Sequence, residues 1–275
     1  MAEILNQPNK RKSFKKYMLE GFMIFLAVFM GFVAENIREN ISEASIEQEM
    51  AKNLYAELES DSIKLAKIQI WRKKKEHSFL YVMKYLKDSS LVNLSNHFYR
   101  HFTFAVLQIG SNSTFDPTDG LLIQLQNSGT RRYFKNPLIQ KQVSELGATI
   151  NFVRIRNERE LGFSAQIWRP LIQKHYDFEW LEEFMDNGKR TIAQTIMDSA
   201  FVSERKPHFV KENQVDREEL YNATAGYLLT LRGTSLTVYN DYKLACAKLL
   251  QTLRQEYKLS PNYGKQNIST VQIQN

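Results

Sequence analysis

The sequence predicts an all-α protein in which an N-terminal transmembrane helix continues into a bundle of long antiparallel helices. Three observations support this fold class. Residues 18–34 form a largely apolar run between a basic and an acidic segment. Apolar residues recur at intervals of three, four and seven through most of the remaining chain, which is the spacing of one helix face. The 275 residues include only 11 Gly and 6 Pro, too few for an architecture of short strands and turns.

The apolar run is predicted to cross a membrane as one helix. Its only ionisable residue is Glu20, close enough to the basic end for its carboxylate to reach the headgroups. The run spans roughly 25 Å, and long polar side chains on both flanks extend towards the interfaces of a ~30 Å hydrocarbon core. Two alternatives stay open: a cleaved signal peptide, although Phe32 fits poorly two positions before Ala34, and a buried helix of a soluble core.

The charges on the two flanks predict the orientation of this helix. Residues 1–16 carry five Lys/Arg and one Glu, whereas residues 35–61 carry eight Asp/Glu and two basic residues. Positive charge is retained on the cytoplasmic side of a membrane. We therefore expect a cytoplasmic N-terminus (1–16), a transmembrane helix (17–36), an extracytoplasmic helical domain (37–259) and a disordered tail (260–275). In a bacterial cell the chain would be a single-pass inner-membrane protein with a periplasmic domain.

The net charge of +7 does not predict a nucleic-acid-binding protein. Residues 1–34 contribute five Lys/Arg and two Glu, which leaves an excess of only +4 on the rest of the chain. The expected partners are the lipid bilayer and a protein, either a different one or a second copy of this chain. Ala27 and Gly31, four residues apart, would allow two membrane helices to approach closely. The single cysteine, Cys246, is predicted to be a small buried apolar residue.

The helices of the domain can be predicted in order. Residues 35–75 contain no Gly or Pro and predict a long helix continuous with the anchor, with a break at residues 88–90. Ser95 is the predicted N-cap of the next helix, over residues 96–109. Asp116 and Asn136, each followed by Pro, are predicted to begin two further helices. The second of these has a clean apolar stripe of Ile139, Val143, Leu146, Ile150 and Val153.

The C-terminal half is less regular in sequence. Residues 162–214 predict short helices and loops, and their aromatic run 175–180 is expected to pack across the bundle, with a ligand groove as the alternative. Helix is predicted to return over residues 216–257, with Gly233 as a bend or break. Its predicted apolar side consists of Leu220, Tyr227, Leu231, Val238, Ala245, Leu249 and Leu253.

Four groups of polar residues are candidate functional sites, and each has a simpler structural interpretation. The basic run 71–75 could contact anionic lipid but is more typical of a solvated helix face. The pair His97 and His101 has the spacing of two metal ligands, yet no third ligand is identifiable. We therefore assign no catalytic, cofactor-binding or metal residue. The remaining candidates are an anion-binding loop pair, Arg131 and Arg132, and an acid–base group of Glu179, Glu182 and Glu183. The first is more typical of a solvated loop and the second of a solvated helix face.

Three stretches resemble a family of single-pass membrane-anchored proteins of Bacteroidota that share a domain of unknown function. The first is AENIRE at residues 34–39, where the apolar helix leaves the bilayer. The second is the helix stop signal LQNSG at 125–129 with the helix start signal NPL at 136–138. The third is LLQTLRQEYKL at 249–259. The resemblance implies the same anchored topology, and it implies no active-site residue.

The function predicted from these features is that of a membrane-anchored helical interaction or scaffold module of the cell envelope. The alternative is an extracytoplasmic ligand-binding, sensory domain that acts through a partner, because residues 1–16 are too short for an output domain. An enzyme is not expected, and no cofactor is predicted.

Overall fold

The computed structural model describes residues 10–107, 114–127, 134–182, 196 and 205–260. Within these ranges the chain forms helices and no strand, so the all-α prediction is confirmed. The chain divides into two compact units, Met1–Ala51 and Lys52–Asn275. The helices are α1 (Lys10–Asp88), α2 (Asn96–Leu107), α3 (Gly120–Asn127), α4 (Pro137–Phe163), α5 (Arg169–His175), α6 (Phe178–Glu182), α7 (Arg217–Gly233) and α8 (Tyr239–Tyr257).

Two π-helical turns interrupt long helical runs. The first, Ser164–Trp168, joins α4 to α5, and the second, Thr234–Val238, joins α7 to α8. A π turn accommodates one extra residue in a helix, and such turns are frequent at functional sites. The chain therefore stays helical from residue 137 to 175 and again from 217 to 257.

The first unit contains the described N-terminal part of α1. Its apolar side chains are exposed, and among the described residues this is the helix long and apolar enough to cross a membrane, with a mean hydropathy of 2.0 over its best window and none of that window buried. By its length and composition this helix is a candidate membrane span. Its topology and its membrane stay predictions.

The second unit is built on the antiparallel pair α4 and α8. At one end of the pair Asn136 donates to Glu256 at 3.0 Å, and at the other the Tyr239 hydroxyl donates to Asn157 at 2.7 Å. Asn136 also caps α4 by accepting from the Leu138 N–H, which confirms the predicted start. The predicted stripe of α4 is buried throughout, and it packs beside Tyr242, Cys246, Leu249 and Leu253 of α8.

The other end of this unit has an aromatic core. Tyr176 and Trp180, from the segment that was an alternative ligand groove, are buried there, so packing is the observed arrangement. The Tyr99 hydroxyl accepts from the Asp177 N–H at 2.6 Å, which fixes the segment between α5 and α6. The buried aromatic members of the core are Phe79, Phe98, Tyr99, Phe102, Phe104, Trp168, Tyr176, Trp180, Phe209 and Tyr227.

The helix start predicted at Asp116 is wrong. Residues 114–119 are not helical, and α3 begins at Gly120. An N-cap carboxylate at Asp116 would need the backbone N–H of Thr118 or its neighbour, but Asp61 of α1 accepts that N–H at 2.7 Å. The preceding residue is held as well: Phe115 donates its N–H to the Tyr239 hydroxyl at 2.8 Å, and its carbonyl accepts from Asn157 at 2.7 Å.

The prediction of short helices and loops from residue 162 onwards is also wrong in its first part. Helix continues to His175 through Pro170, because the first π turn lies just before the proline and absorbs the distortion that it imposes. Likewise the helical run from residue 217 to 257 is not broken at Gly233, the last residue of α7. Gly233 directly precedes the second π turn, and a methyl group there would lie 2.6 Å from Nη2 of Arg156, so glycine allows that close approach.

Candidate functional site: a buried ionic cluster beside a polar groove

Two residues of the basic run 71–75 lie inside the second unit. Arg72 and Lys75, three positions apart on α1, are 2% and 1% exposed, whereas Lys73 and Lys74 face outwards. The expectation of a solvated helix face is therefore wrong for this pair. Their positions follow from helical spacing, since Phe79, four residues after Lys75, is fully buried on the same face.

Arg72 forms a two-pronged ion pair with Glu160 of α4. The two guanidinium Nη atoms donate to the two carboxylate oxygens at 3.1 and 2.8 Å, and both side chains are 1% exposed. This fork-to-fork geometry is the strongest arrangement available to an arginine and a carboxylate. The guanidinium also lies over the Tyr239 ring, 5.0 Å from its centroid.

Tyr227 of α7 connects Lys75 to the same carboxylate. Its hydroxyl donates to Glu160 at 2.7 Å and accepts from the Lys75 ammonium at 3.3 Å. Two buried basic side chains are thus linked to one carboxylate, Arg72 directly and Lys75 through the Tyr227 hydroxyl. Burial lowers the pKa of Lys75 to about 7; Glu160 opposes this shift, and the charge of Arg72 adds to it.

Residues in and just before the second π turn provide further hydrogen-bond partners for Arg72. Its Nε donates to the Ser235 hydroxyl at 2.6 Å and its Nη2 to the Leu231 carbonyl at 2.9 Å. That carbonyl also accepts from the Thr234 N–H and from the Ser235 hydroxyl, the latter at 2.9 Å, so arginine shares it with two donors at the start of the π turn. Residues from α1, α4 and α7 and the π turn therefore meet at one guanidinium.

A polar groove of about 370 Å³ opens beside this cluster. Arg72 and Ser235 lie at its base. Its walls combine amide, ammonium, carboxylate and apolar groups, which suits a small polar ligand better than an apolar one. One wall is fixed by the ion pair between Glu76 and Arg232, at 2.6 Å. The other lining residues are Gln69, Lys73, Leu236 and Asn240.

The predicted pair His97 and His101 lies on the side of α2 that faces α1, beside Ser78 and Tyr81. Their ring centroids are 4.7 Å apart, and His77 of α1 brings a third imidazole to 6.0 Å from His101. No group of three His, Cys, Asp or Glu side chains within the described ranges is arranged to hold a metal ion as it stands. The pKa of His101 is lowered to about 4, first by burial and then by His97, His77 and Arg100.

Sequence analysis did not identify His77 because no spacing rule joins residues on different helices. The sequence does show that histidines are concentrated in this region, since three of the five in the chain fall within residues 77–101. Glu160 and Tyr227 were not predicted beside the basic run for the same reason, since the contacts of Glu160 with Arg72 and Tyr227 join residues 88 and 67 positions apart along the chain.

The other predicted candidates lie partly outside the described residues. Arg131, Arg132 and Glu183 lie outside the described residues. Glu179 is 71% exposed and pairs with Arg205 at 2.6 Å, and Glu182 is exposed at the end of α6. Cys246 is buried, as predicted, and burial raises the pKa of its thiol to about 11.

No protein-family model matches the chain, and neither a curated protein nor a solved structure is significantly similar to it. The function is therefore argued from the chemistry of its own residues.

Proposed function

We propose that this protein is a membrane-anchored helical interaction module of the bacterial cell envelope. Residues 17–36 would cross the inner membrane, with residues 1–16 in the cytoplasm and residues 37–259 in the periplasm. The observation that carries the proposal is the apolar part of α1, whose side chains are exposed all round the helix. A helix that is hydrophobic on every side requires either a protein core or a lipid environment.

The charge distribution supports the proposed orientation. The basic cluster precedes the apolar run, and the acidic residues follow it, as retention of Lys and Arg in the cytoplasm requires. The resemblance to anchored proteins of Bacteroidota supplies the same topology, and membership of that family is part of the proposal.

An interaction role also agrees with the surface of the second unit. Large apolar side chains stand exposed on α4, on α7 and in the second π turn, namely Phe152 at 63%, Leu229 at 74% and Leu236 at 73%. Such residues contribute to protein contacts when a partner covers them. The partner would be another envelope protein or a second copy of the chain.

Membrane fractionation tests the anchor. The full chain is expected to stay in the membrane pellet after an alkaline carbonate wash. Replacing Leu26 and Phe29 by arginine should release it, since each arginine near a membrane-helix centre costs about 2.5–3.5 kcal/mol. The matched control replaces Leu229 and Leu236 by arginine and should leave the protein in the pellet. Extraction of the wild-type chain, or retention of the Leu26/Phe29 variant, would contradict the proposal.

Orientation and processing need separate measurements. Alkaline phosphatase fused after Glu39 is expected to be active, because this enzyme works only outside the cytoplasm. The intact mass of the purified protein should include the N-terminal residues, whereas a cleaved signal peptide would remove them. Crosslinking in native membranes followed by mass spectrometry should recover a specific envelope protein or a dimer of the chain. Recovery of uncrosslinked monomer alone would contradict the interaction role.

The groove beside the ionic cluster favours a second candidate function, a ligand-binding sensory domain that acts through a partner. Its volume of about 370 Å³ and its polar lining suit a small polar molecule. A thermal-shift screen of the full chain against amino acids and small carboxylates tests this. A hit should raise Tm in the wild type and in Lys141→Ala, an exposed control, but not in Lys73→Ala. Equal shifts in all three chains would exclude binding in the groove.

A further inference from the structure

Three histidines from two helices form a cluster on the surface of the second unit. His97 and His101 are one turn apart on α2, with their ring centroids 4.7 Å apart. His77 of α1 faces His101 across the helix pair at 6.0 Å. The ring of Tyr81, one turn after His77, lies 5.0 Å from His97 and 4.7 Å from His101. This cluster is separate from the buried ionic cluster and from the groove.

These separations are close to those of imidazoles that share a metal ion. A metal–nitrogen distance of about 2.0–2.1 Å sets the centroids of two coordinating rings roughly 4.5–5.5 Å apart. His97 and His101 are already within this range, and His77 is slightly too far from His101. His77 and His97 are exposed, so their rings can rotate towards a common point without disturbing the core.

His101 has the supporting contact that metal-binding histidines usually have. Its Nδ1 lies 3.0 Å from the hydroxyl of Ser78, which is fully buried on α1. When Nδ1 carries the proton and donates it to this hydroxyl, Nε2 keeps its lone pair for a metal. Ser78 thereby fixes the orientation of the one ring of the three that is partly buried.

We propose that His77, His97 and His101 bind one Zn²⁺ ion between α1 and α2. Imidazole nitrogen suits zinc, whereas calcium and magnesium require oxygen ligands. Three histidines are a known ligand set for zinc, and the fourth tetrahedral position would be left to solvent. Binding would join the C-terminal part of α1 to the N-terminal half of α2.

Calorimetric titration of Zn²⁺ into the metal-free full chain, purified in detergent without a histidine tag, tests the proposal. Saturable binding of one ion per chain is expected. His77→Gln and His97→Gln should each weaken it by about tenfold or more, and both residues are exposed, so folding is preserved. His208→Gln is the matched control, since His208 is half-exposed and remote in sequence, and it should bind as the wild type does.

Co²⁺ absorption and a supporting-residue variant provide independent readouts. Co²⁺ in the site should give visible bands typical of tetrahedral coordination, and these should be lost in His97→Gln. Ser78→Ala should weaken Zn²⁺ binding by about 10- to 100-fold through the loss of its contact to His101. Absence of saturable Zn²⁺ binding would overturn the proposal. So would an unchanged affinity in His77→Gln, which would mean a two-histidine site, or a loss of binding confined to His208→Gln.

Discussion

At the residue scale, the main feature of the second unit is a buried cluster in which two basic side chains lie close to one carboxylate. Arg72 and Lys75 share the carboxylate of Glu160, and Tyr227 bridges between the lysine and that carboxylate. Removing charges from water is expensive, and mutual attraction offsets this only when every group is well bonded. The cluster is therefore expected to respond sharply to the loss of a single member.

Glu160→Gln tests this dependence. The substitution keeps the shape but leaves Arg72 buried without its counter-charge, so the free energy of unfolding should fall by about 3–5 kcal/mol. The control is Glu145→Gln, which removes the carboxylate of a surface pair with Lys141 and should change stability by about 0.5 kcal/mol or less. Urea denaturation followed by circular dichroism measures both, and equal effects would contradict the prediction.

Lys75 should make stability depend on pH. Its pKa in the folded protein, about 7, lies below the ordinary value of 10.5. Between these values the unfolded chain binds a proton that the folded chain does not, so the free energy of unfolding should rise as the pH increases from 7 to 9. Burial also raises the pKa of Cys246, to about 11, and the pKa values of Tyr99 and Tyr242. The thiol opposes the trend as the pH approaches its ordinary pKa of 9.0, and the tyrosines oppose it only at more alkaline pH.

Urea denaturation at pH 7, 8 and 9 measures this slope. Lys75→Met should flatten it, because the titrating group is gone. Lys74→Met, a neighbour exposed on the same helix, should leave the slope as in the wild type. A Lys75→Met protein that keeps the full slope would assign the pH dependence to other groups.

At the element scale, the π turns explain where helix prediction succeeded and where it failed. The start at Asn136 was predictable because the cap is local chemistry between adjacent residues. The apolar side of the last helical run was predicted correctly at its two ends, where Leu220, Tyr227, Leu231, Leu249 and Leu253 are buried, but not between them. A regular seven-residue repeat from Leu231 predicts Val238 and Ala245 as core residues, yet Tyr239 and Cys246 are the buried ones. The second π turn adds one residue and delays the pattern by one position.

Much of the ionic cluster was beyond sequence analysis for a related reason. The periodicity of α1 identifies a helix, but a run of Arg and Lys is normally solvated, and only tertiary contacts reveal which of its members face the core. The carboxylate that makes burial of Arg72 possible is 88 residues away. The histidine pair on α2 was predictable from local spacing, whereas its neighbour on α1 was not.

Single-residue deletions test the role of the second π turn. Deleting Leu236, an exposed residue within the turn, should convert it to regular α-helix and keep Tyr239 and Cys246 facing the core. Deleting Lys243, an exposed residue of α8, should rotate Cys246 out of the core and destabilise the unit by more than about 4 kcal/mol. Circular dichroism and urea denaturation compare the two proteins. Equal destabilisation by the two deletions would contradict the proposal that the π turn accommodates one extra residue and so shifts the buried positions of α8 by one.

At the scale of the whole molecule, Cys246 provides a reporter of unfolding. It is the only cysteine of the chain, it is fully buried, and burial raises the pKa of its thiol to about 11. Both properties suppress alkylation, since the thiolate is the reactive form. Modification therefore requires opening of the second unit.

Maleimide labelling across a urea series is expected to show no rapid modification in the native protein and a midpoint that coincides with loss of helical circular dichroism. A chain with Cys246→Ser and Lys248→Cys moves the thiol to an exposed position of α8 and should react at once in the absence of urea. Native labelling of Cys246 at the rate of this control would show that α8 separates from its neighbours without global unfolding.

The contacts of Phe115 have a consequence for limited proteolysis. Segments without regular secondary structure are the usual sites of nicking, because a protease must draw an extended stretch of backbone into its cleft. In residues 114–119 both backbone groups of Phe115 and the N–H of Thr118 are already bound by side chains of three helices. The segment has one chymotrypsin site, the bond after Phe115, and no Lys or Arg for trypsin. It should therefore resist chymotrypsin as a helix does, and Tyr239→Phe, which removes one of these contacts, should make the bond after Phe115 a cleavage site.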